Sequence, residues 1–149
     1  MINSDIRDQA YRFFIEEAAE LLQIIESELL NIRQDCSSAR IHEMMRSAHS
    51  IKGGAASLEL DTLKTIAHRL EDYFKALYID VTIDEELENL LLQGFDCLKE
   101  PLTAQINQGE FDEVAAMAKA TPIFTALDLR LGDALNQSEN FLPSSTDLG

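Results

Sequence analysis

Apolar residues recur at three- and four-residue steps along most of this chain, which is the period of a helix that buries one face. The pattern predicts five helical segments. The first four span about 5–34, 39–58, 61–78 and the stretch from 82–85 to about 106, and the fifth follows Gly109. No segment alternates apolar and polar positions as a half-buried strand does. We therefore expect an all-α fold, an antiparallel up-down-up-down four-helix bundle with an additional C-terminal helical segment.

Capping residues and prolines predict where individual helices begin and break. The run 35–38 ends the first helix and supplies serine hydroxyls as N-caps for the second. Thr82 and Glu85 have the spacing of a capping box, so they should start the fourth helix. Pro101 should kink or shorten that helix, because proline lacks an N–H and clashes with the preceding turn. Pro122 should divide the fifth segment, since proline favours the first position of a helix.

The composition suits one helical domain and excludes several classes of partner. The chain has 149 residues, of which 46% are hydrophobic, and is long enough to bury a core without disulfides or metal ions to stabilise it. Its 27 acidic and 12 basic residues give a formal net charge of −15, which argues against nucleic acid and against anionic membrane surfaces as partners. We expect one domain over 1–136 and a linker-like tail over 137–149.

Cysteine usage and the absence of long apolar runs indicate a cytoplasmic protein. Cys36 and Cys97 are isolated and form no C-x-x-C pair, so we expect two reduced thiols. Residues 1–12 lack the apolar core of a signal peptide, and no run of about 18 apolar residues occurs. We expect a monomer, since the bundle can satisfy its own core.

The stretch 48–54, Ala-His-Ser-Ile-Lys-Gly-Gly, is the chemically informative part of the second helix. A glycine inside a helix costs about 1 kcal/mol relative to alanine, yet Gly53 and Gly54 stand side by side. At about 100° per residue, His49 lies about 140° from the apolar stripe centred near Ile51, and so should be exposed. Gly53, one turn further on, leaves that exposed surface open to a partner. Gly54 lies nearer the core and should allow close packing against the first helix.

The third helix carries Lys64, His68, Glu71 and Lys75 on one stripe. If the second and third helices are antiparallel neighbours, this stripe borders His49 and gives the histidine a carboxylate partner. Basic residues would then surround the pair: Lys52, Lys64, Lys75 and Arg46. A solvated run of i,i+4 charges is the alternative for the two lysines of the third helix.

Two further interpretations belong to other classes of protein. His42, His49 and His68 could form a metal or hydrolytic site with Glu71, although the chain contains no H-E-x-x-H or Glu-x-x-His pair. The chain could also be a structural helical adaptor in which the histidine is incidental. That interpretation leaves unexplained why Gly53 stands in mid-helix beside His49 and Lys52.

The run 46–55, Arg-Ser-Ala-His-Ser-Ile-Lys-Gly-Gly-Ala, followed by His68 and Glu71, resembles the histidine phosphotransfer (HPt) domain. It looks most like the N-terminal P1 domain of CheA-type chemotaxis histidine kinases. The resemblance covers about 5–106 and includes Phe-Phe-Ile-Glu-Glu-Ala at 13–18, whereas the region after residue 109 matches less well.

The resemblance implies a role for each matching residue. His49 corresponds to the phosphorylated histidine and Glu71 to the carboxylate that orients its ring. Lys52 and His68 correspond to polar neighbours of the phosphoryl group, and Gly53 to the small residue that permits docking.

The resemblance also implies partners. They are the ATP-binding catalytic domain of a histidine kinase and the receiver domain of a response regulator. ATP would be bound by the kinase and Mg²⁺ by the receiver, so no cofactor or metal is expected on this chain, and it would not be a kinase itself. Docking is expected over the exposed Met45, Ala56 and Leu60. The starting methionine and the linker-like tail favour the N-terminal piece of a larger CheA-like kinase.

Overall fold

A computed structural model describes residues 4–79 and 81–141 of this chain. Five helices follow one another: α1 (Ser4–Leu29), α2 (Ser38–Ser57), α3 (Asp61–Ala76), α4 (Glu85–Gln108) and α5 (Glu113–Phe141). Over these residues there is no strand, so the all-α prediction is confirmed.

The first four helices form a closed bundle, and α5 packs on its outside. Contacts join α1 to α2, α2 to α3, α3 to α4 and α4 back to α1. Among the described residues, α5 contacts α3 and α4. Short connections make consecutive helices antiparallel neighbours. The predicted bundle with an additional C-terminal helix is therefore confirmed.

One continuous core fills the space between the helices, and every helix contributes large side chains to it. The fully buried members include the following residues: Ile25, Leu29, Met44, Ile51, Leu63, Ile66, Leu70, Phe74, Leu87 and Phe95. The apolar stripe of each helix thus faces inward, which is the physical reason why the 3.6-residue period was visible along the chain.

Of the two predicted helix starts, one is confirmed and one is wrong. Ser37 caps α2 as expected, its side chain accepting a hydrogen bond from the Arg40 N–H at 3.2 Å. The predicted capping box that begins at Thr82 does not start α4. The N-cap of α4 is Asp84, whose Oδ1 accepts from the Leu87 N–H at 2.9 Å. An aspartate caps at least as well as a threonine, and this one lies two residues closer to the buried stripe.

Helix ends also differ from the sequence-based bounds. Helix α1 stops at Leu29 rather than near 34, and the following residues form turns. The third helix ends at Ala76 instead of Tyr78. These differences are confined to the last turns, where helices leave carbonyls unpaired and fray most easily.

Neither proline ends its helix. Helix α4 runs through Pro101 to Gln108, so it is not shortened. Helix α5 runs through Pro122 to Phe141, so the predicted division is wrong. Pro122 is exposed, whereas Phe124, two residues later, is buried in the core, and this packing offsets the lost hydrogen bond.

The predicted tail overlaps the last helix. Helix α5 includes residues 137–141, the first five of that segment, while 142–149 lie outside the described residues. Cys36 is exposed, Cys97 is buried, and neither forms a disulfide. None of the helices in the described part of the chain is both long and apolar enough to cross a bilayer.

The two adjacent glycines of α2 have opposite surroundings. A Cβ built on Gly54 would lie 2.5 Å from Cδ1 of Phe14, a buried side chain of α1. Built on Gly53, it would meet nothing within 4 Å. Gly54 therefore permits the close approach of α1 to α2, and Gly53 opens the outer surface of α2.

Candidate functional site

His49 lies on the outer face of α2, opposite the buried Ala48 and Ile51. Its side chain is 63% exposed. The exposure follows from the helical period, because the residues that pack into the bundle occupy the other face. A ring at this position is open to a second protein.

Glu71 reaches His49 from the neighbouring helix α3. Its Oε2 lies 2.8 Å from Nδ1 of His49, and its Oε1 forms an ion pair with Nζ of Lys52 at 2.8 Å. The carboxylate is 10% exposed, while the Lys52 side chain is 24% exposed. One buried anion therefore holds an imidazole and an ammonium that lie one turn apart on α2.

Electrostatics determine the state of the Glu71 carboxyl. Burial would raise its pKa, but Lys52 and His49 more than offset that penalty, so the pKa of Glu71 is lowered. The group is thus an ionised acceptor at neutral pH. Nδ1 of a neutral His49 ring must then carry the proton and donate it to Glu71, which leaves the lone pair on Nε2.

His68 lies on α3 one turn before Glu71 and is largely exposed. Its Nε2 is 3.8 Å from Oδ2 of Asp72, an i,i+4 pair too long for a hydrogen bond. Asp72 is absent from the residues predicted from the sequence. Its spacing from His68 and its position next to Glu71 were the signals that could have identified it.

Asp72 belongs to the same group of charges. Burial raises the pKa of its carboxyl; His68 and Lys75 lower it, Glu71 raises it, and Lys52 lowers it, with a net rise. Lys75 is partly exposed and borders the same groove as Asp72, between α3 and α5. Asp72 and Lys75 therefore lie where the outer surface of α3 meets α5.

The remaining predicted residues surround the site without contacting its carboxylate. Arg46 is exposed but pairs with Glu43 at 2.9 Å, one turn back on α2. Lys64 is exposed on α3. Of the four basic residues expected around the pair, Lys52 is the one that forms an ion pair with Glu71.

The expected docking surface is less uniform than its sequence suggests. Gly53 and Ala56 are exposed on α2. Met45 and Leu60 are partly buried and pack against the core. The surface beside His49 is therefore formed by small side chains, and partly buried apolar side chains lie at its edges.

The alternative of a metal site finds no ligand set. Within 4–79 and 81–141 no group of three or more His, Cys, Asp or Glu side chains could hold a metal ion. Both oxygens of Glu71 are already engaged, one by His49 and the other by the ammonium of Lys52. The ammonium of Lys52 thus occupies the position beside Glu71 that a metal cation would take.

Sequence comparisons match this chain to one family and to one kind of protein. Residues 9–104 match the model of the Hpt domain. The chemotaxis protein CheA of Borreliella burgdorferi is 30% identical over 142 residues, which cover 91% of this chain and 16% of that protein. CheA of Salmonella typhimurium is 33% identical over 113 residues, covering 74% and 17%. The chain thus spans about a sixth of the length of these relatives.

A structural comparison gives the same fold. The phosphorylated P1 domain of CheA3 from R. sphaeroides, solved in complex with CheY6, superposes with a TM-score of 0.69 at 20% identity. The match covers 83% of this chain and 98% of that one. The family match, which covers more than half of the chain, shows that the protein belongs to the Hpt domain family and is a phosphotransfer carrier rather than a kinase catalytic domain.

Proposed function

We propose that this domain carries phosphoryl groups in a two-component phosphorelay. His49 accepts a phosphoryl group from the ATP-binding domain of a histidine kinase and passes it to an aspartate of a response-regulator receiver domain. The observation that carries the proposal is the exposed His49 ring whose Nδ1 is held by the buried Glu71.

The geometry suits His49 to act as a nucleophile. With Nδ1 donating to Glu71, the lone pair of Nε2 is directed away from the carboxylate. Nε2 attacks the γ-phosphorus of ATP held by the kinase, so that the P–N bond forms as the bond to ADP breaks. The ring gains positive charge in this step, and Glu71 stabilises it without taking the proton.

Lys52 offers a cation for the phosphoryl group after transfer. Its ammonium lies against Glu71 one turn from His49 and is partly exposed, so it can turn toward a new anion. His68, on the same surface of α3, is a second polar neighbour. The phosphorylated ring then awaits a receiver, which supplies its own Mg²⁺ and the acceptor aspartate.

The receiver would dock over the outer face of α2. Gly53 leaves this face open, and Met45, Ala56 and Leu60 provide apolar contacts around it. Arg46 and Lys64 would lie at the edge of the same interface. The CheA3 P1 domain that shares this fold was solved with CheY6, which supports a receiver domain as the partner.

The relatives point to the parent protein. CheA proteins match this chain over only about a sixth of their length, so we propose that the domain is the N-terminal part of a CheA-like histidine kinase in the cytoplasm. The kinase activity would belong to another part of that protein, acting on His49.

Intact-mass analysis after incubation with a CheA-type kinase domain and ATP tests the proposal. The wild type should gain one acid-labile phosphoryl group, and His49→Gln should gain none. His42→Gln is the matched control, because His42 is also an exposed histidine of α2 but has no place in the proposed chemistry. No addition to the wild type, or an addition that survives in His49→Gln, would favour the structural adaptor instead.

A further inference from the structure

Phe13 is an aromatic side chain on the outside of α1 and is not part of the core. It is 65% exposed, and among the side chains that the structure describes no other aromatic ring lies so open to solvent. The next residue, Phe14, is buried, and its Cδ1 lies 2.5 Å from the position that a Cβ on Gly54 would take. This contact places residues 13–14 of α1 beside 53–54 of α2, level with the surface that Gly53 leaves open.

The other contacts of α1 show on which side of the helix Phe13 lies. On one side, Phe14 and Glu28 contact α2. On the other, Tyr11 and Glu26 contact α4. At about 100° per residue, Phe13 is turned about 80° from the mean direction of the first pair and about 170° from that of the second. Phe13 therefore lies on the outer face of α1, at the edge that meets α2, and extends the open surface of α2 across to α1.

Acidic side chains border Phe13 on the same face of α1. Glu17 and Glu20 follow it by one and two turns, and both are exposed. The chain as a whole has a net charge of −15, so a partner that approaches this edge meets a negative field. A protein that covers Phe13 must therefore present an apolar pocket with basic side chains beside it.

Of the two proposed partners of His49, the receiver is the one that needs such an anchor. The kinase domain would belong to the same parent protein, and a covalent tether raises its effective concentration near His49 without further contacts. A receiver is a separate protein and is held by surface contacts alone. In such contacts a few buried aromatic side chains supply most of the affinity, and charges at the rim mainly steer the encounter.

We propose that Phe13 anchors the receiver, its ring entering an apolar pocket bordered by basic side chains on that domain. This inference rests on the proposed function and deepens it, because it names a residue and a surface chemistry that select the receiver. Phe13 acts on binding and leaves the bond changes as they are. In those, an oxygen of the receiver aspartate attacks the phosphorus, the P–N bond breaks, and Nε2 of His49 recovers its lone pair.

Phe13→Ala tests the inference, because an exposed ring can be removed without opening the core. The phosphorylated domain is mixed with rising concentrations of a CheY-type receiver and Mg²⁺, and quenched flow gives the maximal transfer rate and the receiver concentration at half that rate. We expect this half-saturating concentration to rise about tenfold, as for a truncated interface anchor. The maximal rate and the acceptance of phosphoryl groups from a kinase domain should stay within twofold of the wild type, because His49, Glu71 and Lys52 are unchanged.

Three further variants make the result specific. Leu129→Ala removes an equally exposed apolar side chain from α5, which packs on α3 and α4, and should leave half-saturation unchanged. Phe13→Leu keeps an apolar side chain and should recover most of the binding. Glu17→Gln should raise the half-saturating concentration about twofold at low salt and have no effect in about 1 M salt, where the screening length is about 3 Å.

The outcomes separate this inference from the proposed function. If the domain passes its phosphoryl group to the receiver but Phe13→Ala leaves half-saturation unchanged, the role of Phe13 is overturned and the carrier function stands. An equal loss of acceptance from the kinase domain would overturn it too, because the anchor would then not be specific to the receiver. A wild type that accepts or transfers no phosphoryl group overturns both. A rise in half-saturation alone, reversed by Phe13→Leu, supports both.

Discussion

Helix α3 carries a polar network on each of two faces, and the two networks differ in where they end. Toward α2, the buried Glu71 pairs with Lys52 and with the exposed ring of His49. Toward α5, the buried Tyr73 pairs with Arg69 and Asp128. The first network ends in an exposed imidazole, which we propose as the phosphoryl acceptor, whereas the second joins two helices.

The Tyr73 network has the features of a structural clamp. The hydroxyl lies 2.7 Å from Oδ1 of Asp128 and 3.1 Å from the carbonyl oxygen of Phe124, and it accepts a hydrogen bond from Arg69 at 2.7 Å. The Arg69 guanidinium also lies over the rings of Tyr73 and Phe124, 5.6 and 5.1 Å from their centroids. Burial above all raises the pKa of Tyr73, so the phenol stays neutral.

This difference shows why a buried ion network does not by itself indicate a function. Both networks bury one polar group and satisfy it with a cation and a third partner. Only the Glu71 network leaves one member, His49, free to react. Substitutions in the first network should therefore change phosphotransfer, and substitutions in the second should change stability.

The largest effect is expected from Glu71→Gln. The amide can donate as well as accept, so it no longer fixes the proton on Nδ1 of His49 or stabilises the charged ring. We expect the rate of phosphoryl acceptance to fall about 100-fold, as for groups that set protonation in a transition state. Quenched-flow measurement with a kinase domain gives the rate. A rate within twofold of the wild type would contradict the role of Glu71 in orienting the His49 ring.

Tyr73→Phe should act in the opposite way. Loss of the hydroxyl removes the donor to Oδ1 of Asp128, which keeps Arg69 at its Oδ2, and removes one acceptor of Arg69. We expect the free energy of unfolding to fall by about 1–2 kcal/mol. Urea denaturation followed by circular dichroism measures it. The rate of phosphoryl acceptance per folded molecule should stay near that of the wild type. A large loss of rate in a folded variant would mean that the clamp also serves the site.

The adjacent glycines give a smaller contrast within α2. Gly54→Ala places a methyl group against the ring of Phe14, and we expect it to destabilise the fold by about 1 kcal/mol after the gain in helix propensity. Gly53→Ala meets open space and should stabilise the fold by about 0.5–1 kcal/mol. Thermal denaturation of both variants checks the signs.

A bulky residue at the outer glycine extends that contrast to docking. Gly53→Leu should leave the fold intact, because a Cβ at this position meets nothing within 4 Å. It should nevertheless slow transfer to a receiver. Unchanged transfer in this variant would exclude docking over Gly53. The same variant should still accept phosphoryl groups if the kinase approaches His49 from another side.

Much of the fold was predictable because it is local. The buried stripes of α2 and α3 follow from residues three and four positions apart, and the exposure of His49 follows from the same period. The Ser37 cap was predictable for the same reason. The continuity of α5 through Pro122 was not, because it depends on Phe124 packing into a core built by other helices.

Local patterns along the chain were enough to predict five helical segments, an exposed His49 one turn before Gly53, and a motif typical of the Hpt domain. That Glu71 of α3 contacts both His49 and Lys52 of α2 was established only by the packing of the two helices. The two kinds of feature differ in the sequence separation of the residues that produce them. Helical period and capping depend on neighbours within a turn, whereas a 2.8 Å contact between α2 and α3 depends on how side chains distant in sequence pack between them.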